Sequence, residues 1–189
     1  MNKTIIKEDY DLLKQAVNTT EDDYLKRYQD CAELTEAAIA AGNKVLLCGN
    51  GGSASTASHI TNDFISHMAD WNRNGYPAIA LNDPAVMTAV SNDYGYDQVF
   101  ARQVNALGKE GDVLWVFSTS GNSSNIINAV EEAKRQNMKT VVFTGINGGI
   151  LKDQVDIWCP VNTDNLIASE SLHLYIIHSI AKVIEADLG

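Results

Sequence analysis

The stretch STSGNS, residues 118–123, sets Ser118, Thr119, Ser120 and Ser123 around Gly121 with no charged neighbour. An apolar run, Val113 to Phe117, leads into it, and the segment NIINAVEEAKRQN leads out. Where a strand ends and a helix begins, the first helical N–H groups lack partners and the helix dipole is positive. Hydroxyls that donate, a glycine that lets the backbone come close, and free amides form a phosphate cradle without Lys or Arg. An ordinary capped turn, with Ser123 as N-cap, would use the same residue types. That reading leaves most of the hydroxyls without a task.

A second loop, GNGGS at 49–53, follows another apolar run, KVLLC. Extended by Ala54 it reads G-x-G-x-x-A, one form of the dinucleotide fingerprint, with Asp70 roughly 20 residues further on. Two points weaken NAD as the ligand. Asp70 falls where a helix gives way to a loop rather than at the end of the second strand, and the hydroxyl loop stays unexplained. A sugar phosphate accounts for both loops, with one holding the phosphate and the other lying along the sugar hydroxyls.

Such loops need strands and helices to hold them. Apolar runs at 44–48, 78–81, 113–117, 140–144 and 155–160 read as strands. Helices are expected over 4–18, 20–41, 53–68, 83–92, 97–107, 123–137 and 166–186, the second opening on acidic residues and closing at Gly42. Alternating strands and helices imply parallel pairing with right-handed crossovers. The expected fold is α/β, a three-layer sandwich with a five-stranded, mainly parallel sheet flanked by helices. One domain would occupy 43–189, with a helical arm at 1–42 packing on the core or on a neighbouring subunit. In such sheets ligands sit outside the carboxyl ends of the strands, where both loops fall.

Composition narrows the partners. A net charge of -10 disfavours nucleic acid and anionic membrane. No apolar run approaches the ~18 residues of a membrane span, and the opening MNKTIIKEDYDLLKQ is too charged for a signal, so a cytoplasmic protein is expected. Cys31, Cys48 and Cys159 are odd in number and far apart, as reduced thiols are. Cys48 reads as buried at a strand end, Asp112 as a turn residue, His173 as packing or surface, and His67 as surface.

The longer motifs KVLLCGNGGSAS, GYPAIAL, VSNDYGYDQVFARQV, GKEGDVLWVFSTSGNSSNIINAV, TGINGG and HLYIIHSIAKVIE occur in that order and span nearly the whole chain. In them the sequence resembles the SIS (sugar isomerase) domain family, a flavodoxin-like fold, and within it the phosphoheptose isomerases. The resemblance implies interconversion of sedoheptulose 7-phosphate and D-glycero-D-manno-heptose 7-phosphate, by homotetramers with active sites at subunit interfaces. It implies that Asn50, Gly51, Gly52 and Ser53 line the sugar and that Asn92 and Asp93 contact it. It assigns the phosphate to Ser118, Thr119, Ser120 and Ser123. It also implies a catalytic and metal-binding group at His59, Asp63, Glu170 and His178, with Asp63 and His178 as the acid–base pair, Glu170 also at the substrate, and Zn²⁺ or another divalent ion, one per subunit. Moving a proton between adjacent carbons through an enediol calls for such a base and a group that polarises the carbonyl.

The family pattern has Glu where this chain has Asp63, Gln at Glu170, Asp at Ile167 and Arg at His67. These departures allow a site retuned to another ketose phosphate. His59 and Asp63, at i and i+4, share a helix face. Glu170 and His178 stand about 12 Å apart along a straight helix, so one ion reaches both only through extended side chains or a bent first turn. Non-catalytic relatives that bind sugar phosphates or proteins keep the loops and lack the acid–base group. Retention of His59, Asp63 and His178 speaks against that reading here.

Overall fold

Five apolar segments, each flanked by helix on both faces of the sheet they form, make the frame. The computed structural model describes residues 3–189. Its elements run α1 (Lys3–Asn18), α2 (Asp22–Ala40), β1 (Val45–Gly49), α3 (Gly52–Ile65), β2 (Ala78–Ala80), α4 (Pro84–Tyr94), α5 (Ala101–Leu107), β3 (Val113–Phe117), α6 (Ser124–Arg135), β4 (Lys139–Thr144), β5 (Ile157–Pro160) and α7 (Leu166–Leu188). The sheet order is β2-β1-β3-β4-β5 with every pair parallel, the expected α/β sandwich. Every residue of β1 and β3 is buried, as apolar parallel strands covered on both faces must be. Alternation divides them. Val45, Leu47, Val113 and Trp115 pack with α2, α3 and α7, and Leu46, Cys48, Leu114 and Val116 with α5 and α6.

Both sheet borders are brief: β2 has 3 residues, and β5 has 4 and closes on Pro160. Between β1 and β3 the chain changes direction across the sheet, which opens a crevice at their carboxyl ends. The amino ends of the same two strands are shut by Asp112. Its carboxylate accepts from the Lys44 and Lys109 backbone N–H groups and pairs with the Lys44 ammonium. The expected turn residue is thus a fully buried latch.

Helix ends differ from expectation by a few residues, each for a local cause. α3 stops at Ile65 rather than 68 because Glu185 of α7 draws the N–H groups of Met68, Ala69 and Asp70 out of the helix. Arg73 completes this clamp, donating to Glu185 and to the Phe64 and Asp63 carbonyls. α6 stops at Arg135, two residues before Asn137 turns to a left-handed φ of 57°. α2 is tied to the sheet: Tyr28, Cys31 and Ala32 join the core beside α7, and the Tyr28 hydroxyl donates to the Pro160 carbonyl. α1 touches the body through Ala16 and Leu13 and leaves Ile5, Ile6, Tyr10 and Val17 exposed.

Candidate active site

The two loops meet in one cavity of about 500 Å³ at the carboxyl ends of β1 and β3. Asn50, Ser53, Ser118, Thr119, Ser120 and Ser123 line it, with Glu170 entering from α7. Ser118 is buried, and its hydroxyl has no partner among the described residues. A buried polar atom left unpaired costs free energy unless a ligand answers it. Ser123 occupies the N-cap position of α6 yet makes no side-chain cap bond. Gly121, at φ 64°, lies so close to the Gly148 carbonyl that a Cβ would stand 2.0 Å from its oxygen. No Lys or Arg is among the described lining residues, which include Asp164 and Glu170. An anion here would meet hydroxyls and backbone N–H groups rather than a cationic side chain.

Gly51 caps α3 at φ 57°, and a Cβ on Gly52 would meet both Glu170 carboxylate oxygens at 2.7 Å. Glu170 therefore rests against the N-terminal turn of α3, where the helix dipole favours a carboxylate. One level further along the same two helices, His59 and Asp63 of α3 face His178 of α7. His59 Nε2 lies 2.7 Å from His178 Nε2, and each nitrogen is 3.4 Å from Asp63 Oδ2. The His59 and His178 rings stand edge to face. Asp63 is buried, and its Oδ2 has no hydrogen-bond partner among the described residues. Tetrahedral ligands about 2.0–2.1 Å from an ion stand about 3.3 Å apart. The two edges to Asp63 have that spacing, and the shorter edge between the imidazoles would open by roughly half an ångström for this donor set to hold a divalent metal.

Three of the four expected ligands are thus brought together, and Glu170 is not. The reason is the helical rise: seven residues separate Gly52 from His59 on α3 and eight separate Glu170 from His178 on α7, roughly two turns in each case. Glu170 belongs to the cavity level and His178 to the cluster level. Asn92 and Asp93 also stay outside the described cavity lining. They are exposed on α4 and bond to each other, and α4 itself buries no residue against the chain.

Other sequence readings resolve readily. His173 is buried beside Phe143 and donates from Nε2 to the Thr144 carbonyl; burial lowers its pKa to about 4, which holds it neutral, although its bond to Thr144 acts the other way. It is packing. His67 is half-buried and lies tilted against the ring of the exposed Trp71. Cys48 is buried at the end of β1, where desolvation pushes its thiol pKa up. Asp70 bonds to the Asn72 N–H and lies in the clamped loop, away from the end of β2, so the fingerprint has no ribose partner there. Two residues near the cavity went unforeseen: Asn125 and Tyr96, which bond the Asn50 side chain. Asn125 stood in plain view two residues after Ser123, and its position in the first turn of α6 was the available signal.

Known proteins are similar to this chain in sequence and in fold. The SIS domain family model covers residues 8–145. Phosphoheptose isomerase of Roseiflexus sp. is 45% identical over 158 residues, 83% of this chain and 80% of that protein. Phosphoheptose isomerase of Crocosphaera subtropica is 42% identical over 181 residues, 93% of this chain and 92% of that one. The solved phosphoheptose isomerase of Francisella tularensis superposes with a TM-score of 0.91 at 36% identity, covering 98% of this chain and 99% of that one. That of Neisseria gonorrhoeae gives 0.91 at 32% identity, covering 98% and 100%. None of the described helices is long and apolar enough to cross a membrane. With its loops, its cavity and its full-length likeness in sequence and structure, the chain belongs to the SIS domain family, among the phosphoheptose isomerases.

Proposed function

We propose that the protein is an aldose–ketose isomerase converting sedoheptulose 7-phosphate into D-glycero-D-manno-heptose 7-phosphate. The observation that carries this is the single cavity in which the hydroxyl loop and the GNGGS loop meet, with an unpaired Ser118 hydroxyl at one side and the Glu170 carboxylate at the other. Ser118, Thr119, Ser120 and Ser123 hold the phosphate, and Asn50, Gly51, Gly52 and Ser53 lie along the sugar. A proton leaves C1 of the ketose, an enediol forms, and a proton returns at C2. Asp63 and His178 are the acid–base pair of this reading. Glu170 contacts the substrate. His59, Asp63 and His178 would hold a divalent ion, Zn²⁺ by the chemistry of the donor set, and such an ion supplies polarisation of a substrate oxygen.

One observation favours a second assignment of the base: in the single chain the cavity lining includes the carboxylates of Glu170 and Asp164 and does not include Asp63. Glu170→Gln decides between them. If Glu170 takes the proton, turnover falls by about 10²-fold or more; if it only contacts the sugar, most of the activity survives.

The assembly belongs to the same reading. An apolar groove of about 390 Å³ between α1, α2 and α7, lined by Val17, Leu25, Leu172, Tyr175 and Ile176, and the unburied α4 that carries Asn92 and Asp93, suit packing of further copies into a homotetramer. Light scattering on the purified protein tests this. For the reaction, purified protein is incubated with sedoheptulose 7-phosphate with and without added Zn²⁺. Formation of the aldose is expected, and its absence in both cases sinks the proposal.

A further inference from the structure

The side chain of Asn50 is held in a way that decides what it offers a ligand. Asn125 Nδ2 donates to Asn50 Oδ1 at 2.8 Å, and Asn50 Nδ2 donates back to Asn125 Oδ1 at 3.0 Å. The Tyr96 hydroxyl donates to the same Asn50 Oδ1, also at 2.8 Å. A carboxamide oxygen has two lone pairs and its nitrogen two protons. Both acceptor positions of Asn50 are therefore taken by the protein, and one proton is taken by Asn125. What remains is one N–H, on a residue that lines the cavity.

We propose that Asn125 and Tyr96 are positioning residues that lock the Asn50 carboxamide with its oxygen turned into the protein and its free N–H available to the substrate. The inference rests on the cavity being the sugar-phosphate site. Asn125 lies buried in the first turn of α6, directly after the hydroxyl loop, so the amide pair also bridges the two loops across the crevice between β1 and β3. Without the lock, the amide could turn over and present an acceptor in place of a donor. Sugar hydroxyls suit either polarity, since each both donates and accepts. A carbonyl oxygen accepts only. A side chain fixed as a donor is thus matched to the ketose carbonyl. As the proton leaves C1, charge develops on that oxygen, and a preorganised N–H bond to it strengthens.

Asn125→Ala and Tyr96→Phe test this. Each variant is measured for kcat and KM with sedoheptulose 7-phosphate, and for affinity toward inorganic phosphate by calorimetry. Asn125→Ala is expected to lower kcat by about 30-fold with KM within about 3-fold, and Tyr96→Phe to lower kcat by about 5-fold. Inorganic phosphate, which needs only the hydroxyl loop, should bind both variants within about twofold of wild type. A merely structural role would weaken phosphate and sugar phosphate together, and that result overturns the proposal, as does unchanged kcat in both variants. Should Asn125→Ala fail to fold, Tyr96→Phe still decides, because Tyr96 is largely exposed. A wild type that binds the sugar phosphate without converting it sinks the isomerase reading alone. The variants then report through affinity for the sugar phosphate: a drop of about 30-fold in Asn125→Ala supports the lock, and no change overturns it.

Discussion

The two ends of the β1–β3 pair treat buried polar groups in opposite ways. At the amino end Asp112 is fully buried and fully partnered, by two backbone N–H groups and the Lys44 ammonium. At the carboxyl end Ser118 is buried with its hydroxyl unpartnered among the described residues, and one level further along α3 the Asp63 Oδ2 is unpartnered as well. Both ends lie on the same two strands and are fed by short loops. The difference is that one end completes its own hydrogen bonds and the other leaves some of them open. Closed polarity serves stability, and open polarity serves binding.

Four measurements sharpen or break this contrast. The largest effect is expected from Asp63→Ala. Wild type purified without chelator should carry about one metal ion per chain by elemental analysis, the variant none, and turnover should fall by about 10³-fold. Metal retained in the variant would separate the orphaned oxygen from metal binding. Next comes Asp112→Ala, which strands three partners and should cost about 3 kcal/mol in denaturant unfolding while leaving kcat of the folded protein unchanged. Equal loss of kcat would erase the distinction between the two ends. Ser118→Ala is the mirror experiment: turnover down by about 30-fold, and stability unchanged or raised by up to about 1 kcal/mol, because an unpaired hydroxyl is removed. A clear loss of stability would mean that Ser118 is already satisfied.

The smallest effect is confined to acid. Glu185 is another closed carboxylate. Burial alone would raise its pKa, but bonds from Arg73 and from the Met68, Ala69 and Asp70 N–H groups outweigh burial and lower it to about 2 from the ordinary 4.5. The unfolded chain takes up the proton first as pH falls, so this contribution is whole above pH 4.5 and is lost on the way down to about 2. In Glu185→Gln that stretch of the stability–pH curve should flatten. A slope equal to wild type would show that the clamp holds no charge.

How much of this was legible in the sequence depended on distance along the chain. The cavity was legible because its parts are local: each loop carries its glycines and hydroxyls within six residues, right after an apolar run. The five strands were legible for the same reason, since β1 and β3 are continuous apolar segments. The latch was not, because KEGD looks like any turn and nothing local says that Lys44, 68 residues earlier, converges on Asp112. The Asn50 lock joins residues 75 and 46 apart, beyond any spacing argument. Glu170 is the instructive case. Periodicity on α7 already set it apart from His178, whereas only the packing of α7 on α3 shows that Gly52 makes room for its carboxylate. Asn92 and Asp93 lie on α4, which buries no residue against the rest of the chain, so its own packing gives them no place at the site.

The brevity of the two border strands has a consequence of its own. An exposed strand edge is a template on which another chain can add, and long flat edges invite runaway stacking. Here one border offers the backbone of three residues and the other four, ending on a proline that has no N–H to give. Copies of this protein have almost no edge to zip together. Growth into fibres is thereby discouraged at both margins of the sheet.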